Sequence, residues 1–205
     1  MSIRHRGALV MAAAGLCVAA TAAVAGPAAA APAGGGEPRF LDARELPPHP
    51  SSAWHAGPVT PGQPEGPPVC AGEALPSTSV HRTFWTEFDT NAVQVTVVER
   101  DVQRAKEFAE LLRKKLDGCA ERLEKEHPDV KAEQKYYGKV NVEEGAHVYG
   151  VHTAWDSGAS DVGLLAVGRD GRTVTLVQWG QMGTLPDAPV SKFKTTVKTA
   201  VNKLY

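Results

Sequence analysis

The stretch "DVGLLAVGRDGRTVTLVQWGQM", Asp161 to Met182, decides the fold. Two runs of strand length flank Asp170-Gly171, a dipeptide suited to a type I′ turn because both central residues of that turn need positive φ. The stretch therefore predicts an antiparallel hairpin. Working outward, "DVKAEQKYYGKVNV" and "AHVYGVHTAW" are further strand-length runs bounded by turn residues, which makes four strands in succession. Upstream, "TFWTEFD" and "AVQVTVV" surround the turn residues Asp89 to Asn91, with Val93, Val95 and Val97 alternating against Gln94 and Thr96.

Two helical patterns interrupt and close this series. Asp101 is an N-cap residue, and Val102, Ala105, Ala109, Leu112, Leu116, Cys119 and Leu123 recur at spacings of three and four before Pro128. Asp187 and Pro189 open a second helix whose apolar face is Val190, Phe193, Val197, Ala200, Val201 and Leu204. The predicted order over residues 81–205 is ββαββββα. We read it as an α+β domain, a single antiparallel sheet of about six strands with two long helices packed on one face.

The region before this domain has a different composition. Twelve of the 15 prolines lie between Pro27 and Pro76, where fixed φ and missing amide hydrogens disfavour helix and central strand. Residues 1–30 read as a secretory signal peptide, with Arg4 and Arg6 before an apolar run and small residues after it. Cys17 follows Leu16 in the middle of that run, the wrong context for lipidation. No basic stop-transfer cluster follows, so no stable membrane insertion is expected after cleavage. Residues 31–39 read as a disordered Ala/Gly/Pro spacer. Residues 40–80 carry Phe40, Leu41, Leu46, Trp54 and Val59, apolar side chains a solvated spacer has little use for, and are expected to dock on the domain.

Charge and cysteine usage narrow the function classes. The formal charge is −1, and removing Arg4 and Arg6 from the 22 basic residues against 23 acidic ones leaves −3. Such a balance, without a basic stripe, gives no reason to expect nucleic-acid binding. Export leaves two cysteines in an oxidising compartment, which predicts a Cys70–Cys119 disulfide.

No constellation announces catalysis or a metal. His147 and His152 are five apart on one strand and so point to opposite faces, unable to share an ion. "WDSGAS", Trp155 to Ser160, contains the letters of some serine nucleophiles but lacks partners, and Asp, Ser and Gly are ordinary turn residues. No cofactor is implied. The candidate ligand-binding residues are Tyr149, Trp155, Trp179 and His147, on the expectation that the helices leave one sheet face open; a core role, or support of the Pro-rich segment, is the alternative for the aromatics.

The stretches "LPPHPSSAWHAGPV", "CAGEALPS", "DTNAVQVTVVE", "YGKVNVEEGAHVYGVHTAW", "VGRDGRTVTLVQWGQMG" and "DAPVSKFKTTVKTAVNKLY" together resemble the PknH-like extracellular sensor domains of actinobacteria, over approximately Phe40 to Tyr205. The resemblance implies an antiparallel sheet with two long helices on one side and a cleft for an extracellular ligand. It supplies no catalytic residue. This chain carries no kinase segment and one cysteine pair, where kinase-linked members have two. The expectation is a stand-alone exported, non-enzymatic module that binds a small ligand or an envelope protein, secreted or associated with the cell envelope. An exported enzyme acting on envelope material and a structural surface protein are the competing readings.

Overall fold

The computed structural model describes residues 37–205. The signal-peptide reading of 1–30 and nearly all of the spacer reading of 31–39 lie outside the described residues.

Among the described residues there are eight strands: β1 (His55–Ala56), β2 (Thr60–Pro61), β3 (Val80–Trp85), β4 (Asn91–Val98), β5 (Val130–Val140), β6 (Ala146–Trp155), β7 (Ser160–Asp170) and β8 (Thr173–Met182). All pair antiparallel in one sheet of order β1-β3-β4-β8-β7-β6-β5, with β2 also on β3. The α+β class is thus as expected. The six strands read from the sequence are there, and the two additional ones are two-residue pairings inside the Pro-rich segment. Pro61 sits where a missing amide is tolerated, on an edge.

The hairpin of Asp161–Met182 differs from expectation by one residue. Asp170 pairs with Thr173, so the turn is Gly171-Arg172, and only Gly171 has positive φ, at 51°. Glycine alone with positive φ at the first central position meets the demand of a type II′ turn, not type I′. Asp170 ends the strand instead. Burial, with Glu143 and Glu144 nearby, raises its pKa above the ordinary carboxylate value.

The first helical pattern is also broken in two, α1 (Val102–Asp117) and α2 (Cys119–Glu126), at Gly118. Asp101 caps α1 as expected, its carboxylate accepting from Arg104 N at 2.8 Å. The third helix, α3 (Val190–Asn202), buries Phe193, Val197, Ala200 and Val201, with Leu204 following.

The expectation that both long helices share one sheet face is overturned. Helix α3 packs on Ala92, Val148, Leu164, Ala166, Val177 and Trp179. Helices α1 and α2 pack on the opposite side chains, Val93, Val95, Val151, Leu165, Val167, Val174 and Leu176. The cause is in the composition of β7. Leu164, Leu165, Ala166 and Val167 form an unbroken apolar run, and such a run needs cover on both faces. The sheet is the middle layer of a sandwich, helix α3 on one side and α1–α2 on the other.

The Pro-rich segment wraps the β3 edge of this sandwich. On the α3 face, Leu41 and Leu46 enter the core. The buried Gln94 serves them: its Oε1 accepts from Leu41 N at 2.8 Å and its Nε2 donates to Thr175 Oγ1 at 3.2 Å. Lys203, past α3, donates to Asp42 at 3.0 Å and to Glu45 at 2.6 Å. The chain then rounds the edge through β1 and β2. It arrives on the other face, where Ala71 and Leu75 are buried and Cys70 is bonded to Cys119 at the start of α2.

Candidate functional site

Helices α1 and α2 do not cover their whole face. Toward the ends of β6 and β8 the sheet is bare, and a cleft of about 400 Å³ opens between the C-terminal part of α2, Val69 of the wrapped segment and the strand surface. Its floor follows from the register. Asn91 of β4 pairs with Gly180 of β8, Gly180 with Gly163 of β7, and Gly163 with Val151 of β6. Two glycines are therefore directly opposed in the two central strands. A Cβ built on Gly163 would meet no heavy atom closer than 3.6 Å, and one on Gly180 none closer than 3.7 Å. Packing does not require glycine at either place.

The walls are mixed. Val130, Val151 and Leu165 are apolar, and Leu123 and His127 come from α2 and its end. Trp155 stands half-buried, its ring 5.8 Å from that of His127 in a tilted pair. Polar groups enter from Asp89, Asn91, Asp161, Thr153 and Gln178. Asp89 Oδ2 accepts from Met182 N at 2.6 Å and Gln178 Oε1 from Val69 N at 2.7 Å, so two of these side chains also fix the rim. The charged lining is two aspartates with no lysine or arginine.

A broader hollow of about 620 Å³ adjoins this cleft and shares Asn91 and Gln178 with it. It continues over the same sheet face toward β3, beneath residues 60–66.

The sequence-derived candidates separate. Trp155 lines the cleft. Trp179 does not: it is 2% exposed on the opposite face, in the α3 core. Tyr149 shares Trp155's face, as its spacing required, but is 1% exposed and belongs to the core beneath the α1–α2 side. Its hydroxyl is buried, and burial, with Asp117 next, raises its pKa. His147 sits with this cluster, Nδ1 2.8 Å from Tyr136 Oη. Burial, then the Arg113 and Lys139 cations, hold its pKa below the ordinary histidine value. On the other face His152 meets Ser160 Oγ at 2.8 Å, so the two histidines are apart as their spacing demanded.

Ser157 is an exposed residue of the β6–β7 turn, outside the cleft. Among the described residues no group of three or more His, Cys, Asp or Glu is arranged to hold a metal, and no helix is long and apolar enough to cross a membrane.

The sequence reading missed Asn91, Asp161, Gly163, Gln178 and Gly180. The glycines of "DVGLLAV" and "VQWGQM" were the available signal, since glycine inside a central strand weakens it and marks close approach by something else. Seeing that they oppose one another requires the β7–β8 register. Comparison of the chain with known protein families, with curated proteins and with solved structures finds no match to any of them.

Proposed function

We propose that this chain is an exported, non-enzymatic, sensor-like module that binds an extracellular or cell-envelope ligand in the cleft over Gly163 and Gly180. The opposed glycine pair carries the reading. Each glycine in a strand interior costs about 0.5–1 kcal/mol relative to alanine. Here that cost removes side chains from the floor of a concave surface where they would have had room. Concavity, an apolar lining and a few convergent polar groups are what small-ligand sites share. The resemblance to PknH-like sensor domains, with their proposed extracellular cleft, points the same way.

An exported enzyme is the second reading, favoured by Asp89 and Asp161 lining one cleft. Against it, Asp89 is already engaged with the Met182 amide.

A fragment screen by amide NMR on the oxidised protein tests the binding reading. Fragments should shift the Gly163 and Gly180 amides, and Gly163→Leu, which fills the floor, should abolish those shifts. A screen that leaves both amides unmoved would sink it. Release of new reducing ends or amines from a cell-wall preparation, lost in Asp161→Asn, would favour the enzyme instead.

A further inference from the structure

The register extends the cleft floor beyond Asn91 to a residue the cleft does not include. Asn91 pairs with Trp85 of β3, and Trp85 with His55 of β1. One row across the sheet, on one face, is therefore His55, Trp85, Asn91, Gly180, Gly163, Val151. Trp85 is 46% exposed, a large indole left open to solvent. Its ring is stacked on His55 at 5.9 Å with planes 24° apart, and nearly half of the residue stays open to solvent. At the far end Trp155 meets His127 in a tilted pair, ring centroids 5.8 Å apart and planes at 55°. Between the two indoles lie the glycine floor and planar polar groups: the carboxylates of Asp89 and Asp161 and the amides of Asn91 and Gln178.

The separation of the indoles follows from sheet geometry. From β3 to β6 is four strand spacings, and from Val151 to Trp155 is four residues along β6, which together place the two roughly 23 Å apart. That exceeds a compact small molecule and suits an extended chain. The chemistry narrows the kind of chain. Indole faces bind the flat C–H faces of sugar rings, and carboxylates and amides accept from and donate to pairs of neighbouring hydroxyls. The absence of lysine and arginine from the cleft lining, with two aspartates present, disfavours polyanions.

We propose that this shelf binds a neutral oligosaccharide or polysaccharide chain, laid across the strands with Trp85 and Trp155 as stacking platforms at its two ends. The proposal rests on the cleft reading above and assigns it a ligand class. It gives exposed Trp85 a purpose that the cleft alone does not.

The test is calorimetric titration of the oxidised protein against neutral glycans spanning α- and β-linked hexasaccharides and their disaccharides, with hyaluronan hexasaccharide as the anionic probe and spermine as the cationic one. At least one neutral hexasaccharide should bind, its disaccharide at least tenfold more weakly, and the anion not at all. Trp85→Ala and Trp155→Ala should each weaken hexasaccharide binding by roughly three- to tenfold, the scale of one aromatic contact. Trp85→Tyr should restore much of it, and unchanged thermal melting of the Trp85 variants would show that the fold is intact. If no neutral hexasaccharide binds, or if binding ignores both tryptophans, the proposal is overturned. The two readings fail separately. Fragments or spermine that move the Gly163 and Gly180 amides, with no glycan binding, would remove the glycan and leave the cleft; silence at those amides with every probe would remove both.

Discussion

Strand β7 carries two glycines five residues apart, one on each face of the sheet, and they are glycine for different reasons. Gly168 faces α3. A Cβ there would lie 2.4 Å from Val201 Cγ2 and 3.0 Å from the Ala146 Cβ, so the helix sits directly on the backbone. Gly163 faces the α1–α2 side, where the same addition would touch nothing closer than 3.6 Å. One glycine is required by packing and the other is not. The contrast extends to the whole sandwich: the α3 face is filled, by helix and by Leu41 and Leu46, while the opposite face is filled only in part. The wrapped segment is held on both, through a buried amide on one and a covalent bond on the other.

The covalent anchor supplies the largest expected effect. Closing the loop between Cys70 and Cys119, 49 residues apart, is worth about 4 kcal/mol in the chain-entropy description. Replacing both cysteines by alanine should lower the denaturant midpoint accordingly and raise hydrogen exchange around Val69 and Ala71, leaving the amides of Leu41 and Leu46 protected. Equal loss of protection on both faces would show that the segment is one cooperative unit.

Next come two changes on the filled face. Gly168→Ala should cost about 1–3 kcal/mol, the usual penalty of overpacking, measured by urea unfolding. Gln94→Leu should cost a similar amount, because it leaves the buried Leu41 amide without its acceptor, a loss of about 1–3 kcal/mol. A neutral Gly168→Ala would mean that α3 can retreat, and the distinction between the two glycines would fall.

Gly163→Ala is the counterpart on the open face. Here stability should be unchanged or higher by about 0.5–1 kcal/mol, since alanine restricts the unfolded chain and strains nothing. Ligand binding at the cleft should weaken. A clear loss of stability would show that the glycine serves the fold, and the floor would cease to argue for a ligand.

How far the sequence reading reached can be followed along these residues. The six main strands, both amphipathic faces and the Asp101 cap came from patterns of period and composition that local physics enforces, and the disulfide from the cysteine count. The division of the helices between two faces did not, although the apolar run at Leu164 to Val167 contained it. Gln94 and Thr96 are polar and alternate with valines, which reads as a solvated face, yet both are buried beneath the wrapped segment. Their burial depends on Leu41, more than fifty residues away, and on no local signal. The cleft was less legible still. Of the ligand candidates read from the sequence, Trp155 lines the cleft, but Trp179 and Tyr149 are aromatics of the core, and a glycine's role depends on what faces it across a register that the one-dimensional pattern leaves free.

The smallest expected effect is in pH, and it again separates the faces. On the partly covered face, His147 is held below its ordinary pKa of 6.5, first by burial and then by Arg113 and Lys139; Glu110 and Asp117 oppose this. A histidine with a depressed folded value binds its proton more readily when unfolded, so stability falls as pH drops from about 6.5 toward the folded value. On the α3 face Asp42 behaves differently. Its hydrogen bond with Lys203 leads the effects that keep its pKa below 3.8, so its contribution is present above that value and is lost only in stronger acid. Mild acid, about pH 5, should therefore weaken the His147 side while the Asp42 anchor keeps its charge. Urea unfolding at about pH 7.5 and about pH 5 measures the loss, and His147→Gln should make it smaller. If the variant loses as much stability as the parent between those pH values, the acid sensitivity does not arise at His147, and this last difference between the faces disappears.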